Sequence, residues 1–192
     1  RVKLSNRLTA TLKNYYPVIL ELFDDLTSNL SCDFLLAFGD LVILKATKEE
    51  TLLAFFKEHR SSRNSLNAER LELIRQAVPL TTNPAIISAS RFGVQSMCTQ
   101  ILAINKEIKK MDLRLAELVA KHPDTEIFSS LPSCAEVGTA RFIAAFGTDR
   151  SRYPSVEDVL TYSGVAPVKK KSGNTHIIAF RKARPKFLHQ TF

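Results

Sequence analysis

The chain has 192 residues, of which 45% are hydrophobic and 24% charged, and Lys plus Arg outnumber Asp plus Glu by 27 to 19. That apolar fraction fills one good-sized core or two small ones and excludes a wholly disordered chain. The net charge of +8 points to nucleic acid or an anionic membrane surface, while no apolar run approaches the ~20 residues of a bilayer span, which excludes a transmembrane segment.

Arg1 to Asn6 lead into no apolar signal region, so the expectation is a soluble, cytoplasmic protein without a membrane partner. Cys32, Cys98 and Cys134 form an odd set without metal-type spacing, which fits reduced core thiols better than disulfides. The chain starts with Arg, and Phe187 to Phe192 stop inside an amphipathic pattern, so a piece of a longer protein is expected.

Leu4, Leu8, Leu12 and Tyr15 recur at helical spacing before Pro17 and predict a first helix. Short helices are expected over Cys32 to Phe38 and Lys48 to His59, the second opened by a capping box at Thr47-Lys48-Glu49-Glu50. Another is expected from Leu66 to Val78, stopped by Pro79. These segments form a helical unit over residues 1–82, with Leu52, Leu53, Phe55, Phe56, Leu71 and Ile74 as core.

Asn83-Pro84 signals a long helix, through to His122, that occupies residues 83–122. Ile87, Val94, Ile101, Ile108 and Leu115 repeat every seven residues, and Met97, Ile104, Met111 and Leu118 fill the second seam, with Ser90 as the polar break. A helix of roughly 35 residues would be about 50 Å long and needs a partner. Either it packs lengthwise on earlier helices of its own chain, or helix 87–118 dimerises as a coiled coil; β-branched residues at the first seam favour the homo-oligomer.

Residues 123–192 read as a separate C-terminal domain. A short helix ends near Phe146-Gly147, and another follows Ser155-Val156-Glu157-Asp158, the pair forming a helix-hairpin-helix-like unit. Val165 to Val168 and His176 to Phe180 are expected to form a short β-hairpin around Ser172. The fold class is therefore mainly α, with one possible hairpin.

Metal chemistry has little support. His59, His122, His176 and His189 do not cluster, and Asp24-Asp25 and Glu49-Glu50 are adjacent pairs that diverge on a helix. With only 6 Gly there is no phosphate-cradling Gly-rich loop. The chemistry concentrates at Ser172, preceded by Lys169, Lys170 and Lys171. Asn174, His176, Arg181, Lys182, Arg184 and Lys186 follow, and no Asp or Glu occurs from Val159 to Phe192. A hydroxyl beside cations suits phosphoryl transfer, and the cations suit phosphate binding; Lys-Ser-Gly is equally an ordinary exposed turn.

Leu131-Pro132, Ala140 to Gly147, Asp149 to Ser155, Tyr162-Ser163-Gly164-Val165-Ala166-Pro167, Ser172-Gly173 and Pro185 to Phe192, in this order, resemble the C-terminal domain of insertion-sequence transposases of the 110/116/902 family. Val2 to Leu8 and Tyr15-Tyr16-Pro17 are similar to the segment after that family's catalytic N-terminal domain. The resemblance implies a DNA recombinase with two catalytic parts. One is a resolvase-like N-terminal domain whose four carboxylates hold a divalent metal, expected to be Mg; the other is a C-terminal domain whose serine attacks DNA. Ser172 falls at that serine, inside Pro167 to Gly173. Some members are directed by an RNA encoded by the element, so DNA and a guide RNA are the implied partners. The acidic quartet is expected upstream of Arg1, and Asp24 or Asp25 does not replace it, so this stretch alone is expected to be inactive and without a cofactor. Ser133 and Ala135 stand where the family's Leu-Pro-Gly-x-Gly turn has glycines, which weakens phosphate gripping there.

Overall fold

The computed structural model describes residues 1–61, 64–132 and 134–191, with Asn64 described for its backbone only. Ser133 and Phe192, singled out above, lie outside the described residues. The protein is mainly α, with a single two-stranded sheet among the described residues. It divides into two compact units, Arg1–Ile108 and Lys109–Phe192.

The first unit contains α1 (Val2–Tyr15), α2 (Ile19–Leu22), α3 (Asn29–Ala37), α4 (Leu41–Ala46), α5 (Glu49–Glu58), α6 (Asn64–Gln76) and residues 84–108 of α7 (Pro84–Ala120). Leu8, Leu12, Tyr16, Ile19, Phe34, Leu44, Leu52 and Phe56 are buried together with Val94, Cys98 and Ile101 of α7. Phe34 is the hub, with ring centroids 4.8 to 5.8 Å from Phe38, Phe23, Phe55 and Phe56. A charge enters this core with its partners: the guanidinium of Arg70 lies 5.1 Å from the Phe23 ring and 4.9 Å from Phe56, and donates to the Leu22 carbonyl and Ser61 Oγ.

Local signals explain most boundaries. Ser28 and Asp40 cap α3 and α4 through the amides of Ser31 and Ile43, and Asp40 also receives Arg91 Nη1 of α7 at 3.1 Å. Asn83 Oδ1 accepts from the Ala85 amide, one residue past the α7 start. The capping box expected at Thr47 does not form, because Thr47 ends α4 and donates to the Ile43 carbonyl while Lys48 takes the N-cap of α5. Leu53, expected in the core, is 41% exposed, since the inner face of α5 runs through Leu52, Phe55 and Phe56 instead. Cys32 and Cys98 are buried as expected, and Cys134 only half so.

Asp25 is exposed and accepts hydrogen bonds from the Thr27 hydroxyl and amide, which hold its carboxyl below the usual range. The sign follows from the lowered folded value: this stabilisation is complete above the unfolded carboxyl value of about 3.9 and disappears as pH falls through the folded value. Asp25→Asn is therefore expected to narrow the drop in melting temperature of the chain between neutral and acidic pH, as thermal melts across that range would record.

The heptad seam divides between the units. Val94, Met97 and Ile101 are spent on the first unit's own core. Ile108, Met111 and Leu118 are exposed, Met111 to 68%.

The second unit holds the end of α7, α8 (Thr125–Ser129), α9 (Glu136–Phe146), a 3-10 turn (Arg150–Arg152), α10 (Val156–Ser163), β1 (Val168–Ser172), β2 (Thr175–Ala179) and α11 (Lys186–His189). Phe128, Phe142, Phe146 and Leu188 form its small core, edged by Tyr153 and Tyr162. Ser155 and Asp158 close the capping box that starts α10.

Candidate nucleic-acid interface

The chain leaves the second core at the end of α10 and returns to it with Leu188 of α11, which is fully buried. Tyr162 donates to the Ala145 carbonyl, Ser163 is buried and donates to the Leu160 carbonyl, and Gly164 ends α10 in the left-handed conformation at φ 76°. A Cβ at Gly164 would sit 2.4 to 3.0 Å from the side-chain carbons of Arg184. Glycine is thus required twice over, by its dihedral and by the Arg184 stem lying across it.

From Val168 the chain forms a hairpin. Val168 pairs with Ala179, Lys169 with Ile178, Lys170 with Ile177, Lys171 with His176 and Ser172 with Thr175. Gly173 has φ 57° and Asn174 does not share the positive φ, the pattern of a two-residue turn with glycine first. The strand boundaries differ from the expectation of Val165 to Val168 and His176 to Phe180. A two-residue turn at Gly173-Asn174 needs the lysines themselves, through Ser172, as the first strand.

Alternation along paired strands sorts the side chains. Val168, Lys170, Ser172, Thr175, Ile177 and Ala179 share one face; Lys169, Lys171, His176 and Ile178 share the other. Only Val168 and Ala179 are half-buried, and every other hairpin side chain is exposed. Lys170 is therefore the lysine on the Ser172 face, while Lys169 and Lys171 lie behind it. The Ser172 hydroxyl makes no side-chain hydrogen bond among the described residues, and no carboxylate side chain follows Asp158 in the chain.

The remaining basic residues lie beyond β2. Lys182 and Lys186 are exposed. Arg181 and Arg184 are half-buried, and Arg181 Nε, Arg184 Nη1 and His189 Nδ1 are enclosed without a hydrogen-bond partner among the described residues. Asn174 is exposed at the turn. Among the described residues no three His, Cys, Asp or Glu side chains gather closely enough to hold a metal ion, and no helix is long and apolar enough to cross a membrane.

Sequence reasoning missed two sets of residues. Arg150 is structural: it pairs with Asp124 Oδ2 at 2.6 Å, donates to the Gly147 carbonyl and lies over the Phe128 ring. Beside it, Asp149 accepts from the Ser151 hydroxyl and amide, which lower its pKa. The second set is apolar and exposed: Ile177, Ile178 and Phe180. All three lie within the strand expected over His176 to Phe180, and it is their exposure, which strand alternation alone does not give, that singles them out.

Residues 125–189, from the first residue of α8 to the last of α11, match the family described as Transposase IS116/IS110/IS902 family. The chain is 24% identical over 186 residues to the mini-circle IS117 protein of Streptomyces coelicolor, covering 94% of this chain and 45% of that protein. It is 25% identical over 177 residues to the insertion element IS116 44.8 kDa protein of Streptomyces clavuligerus, covering 90% and 43%. With the insertion element IS900 42 kDa protein of Mycobacterium paratuberculosis it shares 30% identity over 80 residues, 42% of this chain and 20% of that protein. The chain thus spans less than half the length of these relatives. No solved structure matches it.

Proposed function

We propose that this chain, whose residues 125–189 match the IS116/IS110/IS902 transposase family, acts in DNA transposition and that its second unit binds DNA through the β1–β2 hairpin. The observation that carries this reading is an exposed strand with three successive lysines, in a segment without a carboxylate side chain from Val159 onward. Lysines so placed neutralise phosphates and release their counterions, and among the described residues no acid pairs with them. Replacing Lys169, Lys170 and Lys171 by Gln is expected to weaken binding to a DNA duplex and to reduce the slope of log K against log salt by roughly 0.9 for each phosphate no longer neutralised. A slope equal to that of the unmodified chain would exclude the hairpin lysines as phosphate ligands. An element-encoded RNA would meet the same cations, and its competition with DNA is read in the same titration.

Ser172 is the proposed nucleophile of the whole recombinase. Its Oγ bonds to a backbone phosphorus as the sugar oxygen leaves, and the broken strand is held as a phosphoserine ester. Lys170, on the same face, is the nearest candidate in the strand pairing to balance the charge that develops. The base that takes the hydroxyl proton is assigned to the acidic, metal-holding domain that the family resemblance implies. A second reading is favoured by the solitary setting of Ser172: the stretch is a nucleic-acid-binding and dimerising remnant without catalysis. In either case the helix-hairpin-helix-like pair proposed for the second unit is α9 and α10, the latter opened by the Ser155–Asp158 capping box.

The same proposal includes a homodimer, now centred on Ile108, Met111, Leu115 and Leu118, because Val94, Met97 and Ile101 are used by the first unit's core. Met111→Asp with Leu118→Asp is expected to convert a dimer to a monomer in sedimentation without loss of helical circular dichroism. A chain that sediments as a monomer before substitution would remove the coiled-coil reading.

A further inference from the structure

Phosphate binding accounts for the lysines of the hairpin and leaves its exposed apolar side chains without a role. Ile178 is 70% exposed and Phe180 86%. Ile178 shares the face of Lys169, Lys171 and His176, opposite Ser172, and Phe180 follows two residues later at the exit of β2. We propose that this second face is a reading head for duplex DNA. It lies in the major groove of one duplex with Ile178 and Phe180 against base edges, which leaves Ser172 and Lys170, on the opposite face, for the phosphate backbone of a second DNA segment.

The dimensions suit that groove. Two paired strands lie about 4.8 Å apart, so a ribbon laid face down is about 10 Å wide once the backbones and edge atoms are included. A major groove about 12 Å wide admits it, and a minor groove of about 6 Å does not. Five residues per strand give a reach of roughly 17 Å, enough to cross several base pairs. The chemistry also fits the groove. Aliphatic and aromatic side chains meet the thymine methyl, lysines meet guanine O6 and N7, and the phosphate walls attract the cations that flank the apolar pair. A protein partner suits this face less well, since Lys169, Lys171 and His176 would have to be desolvated around two apolar side chains.

This inference depends on the hairpin being the DNA interface, so its test separates the two. A duplex is selected from a randomised pool with the whole chain, and Ile178→Ser with Phe180→Ser is compared with the opposite-face control Ile177→Ser. The double variant is expected to lose about tenfold or more in preference for the selected duplex over unselected duplex, with its salt slope unchanged. Ile177→Ser is expected to keep that preference. Replacing thymine by uracil in the selected duplex should weaken the unmodified chain and leave the double variant unaffected. An intact preference in the double variant, no preference in the unmodified chain, or a change of oligomeric state in place of DNA preference would each overturn the reading face. If the lysine substitutions leave the salt slope unchanged, it is the interface itself that fails.

Discussion

Ser172→Ala, placed in a full-length protein that carries the implied acidic domain, is expected to abolish the covalent protein–DNA adduct. Its effect on strand transfer is expected to be on the order of 10⁶-fold, the scale on which a covalent enzyme depends on its nucleophile. DNA affinity should stay within about twofold, because an exposed side chain without a hydrogen bond contributes little to folding or to phosphate binding. That contrast makes the experiment clean, since binding and chemistry are read on the same protein. An undiminished adduct in the variant would remove Ser172 from catalysis; no adduct in the unmodified full-length protein would favour the remnant reading.

Gly164→Val is expected to have the largest effect on the second unit's stability. A β-branched residue at φ 76° carries backbone strain of about 1–3 kcal/mol. The Arg184 stem, already within 2.4 Å of where the first added carbon would sit, must also move, which adds about 1–3 kcal/mol of overpacking. The second core is small, formed among the described residues by Phe128, Phe142, Phe146 and Leu188, so a loss of this size should unfold the unit or release its C-terminal segment. Hydrogen exchange or limited proteolysis between Gly164 and Leu188 would detect it. A variant as protected as the unmodified chain would mean that Arg184 and the turn relax at no cost.

Much of the fold was legible because its signals are local. Asn83-Pro84 and the heptads mark α7, and Ser155 to Asp158 mark α10 through a capping box that closes in the structure. What the heptads could not say is how the seam is shared. Val94 and Ile101 repeat like Ile108, as Met97 does like Met111 and Leu118, and only tertiary packing distinguishes the buried positions from the exposed ones. Thr47 shows a similar limit, since one residue can end α4 or start α5, and the carbonyl of Ile43 is the partner it takes.

The candidate site was legible in composition and misread in geometry. Three lysines before a serine looked like a charged loop, yet a glycine-first turn makes them a strand, and the strand places Lys169 and Lys171 behind Ser172. The ordered motifs around the serine turned out to be scaffold: Tyr162, Ser163 and Gly164 shape the exit from α10, Asp149 fixes the 3-10 turn, and Leu188 returns the chain to the core. Those residues hold the hairpin, while the residues proposed to meet DNA are the exposed ones between them.

The most direct measurement is crosslinking from a photoreactive side chain placed at Asn174, at the hairpin turn, to a labelled DNA duplex at low salt, with the same probe at Val42 of the first unit, which is 65% exposed. The prediction is a crosslink from position 174 that disappears as salt rises and is lost when Lys169, Lys170 and Lys171 are Gln, with little from position 42. Crosslinking from position 42 and none from position 174 would contradict the hairpin as the DNA-binding element.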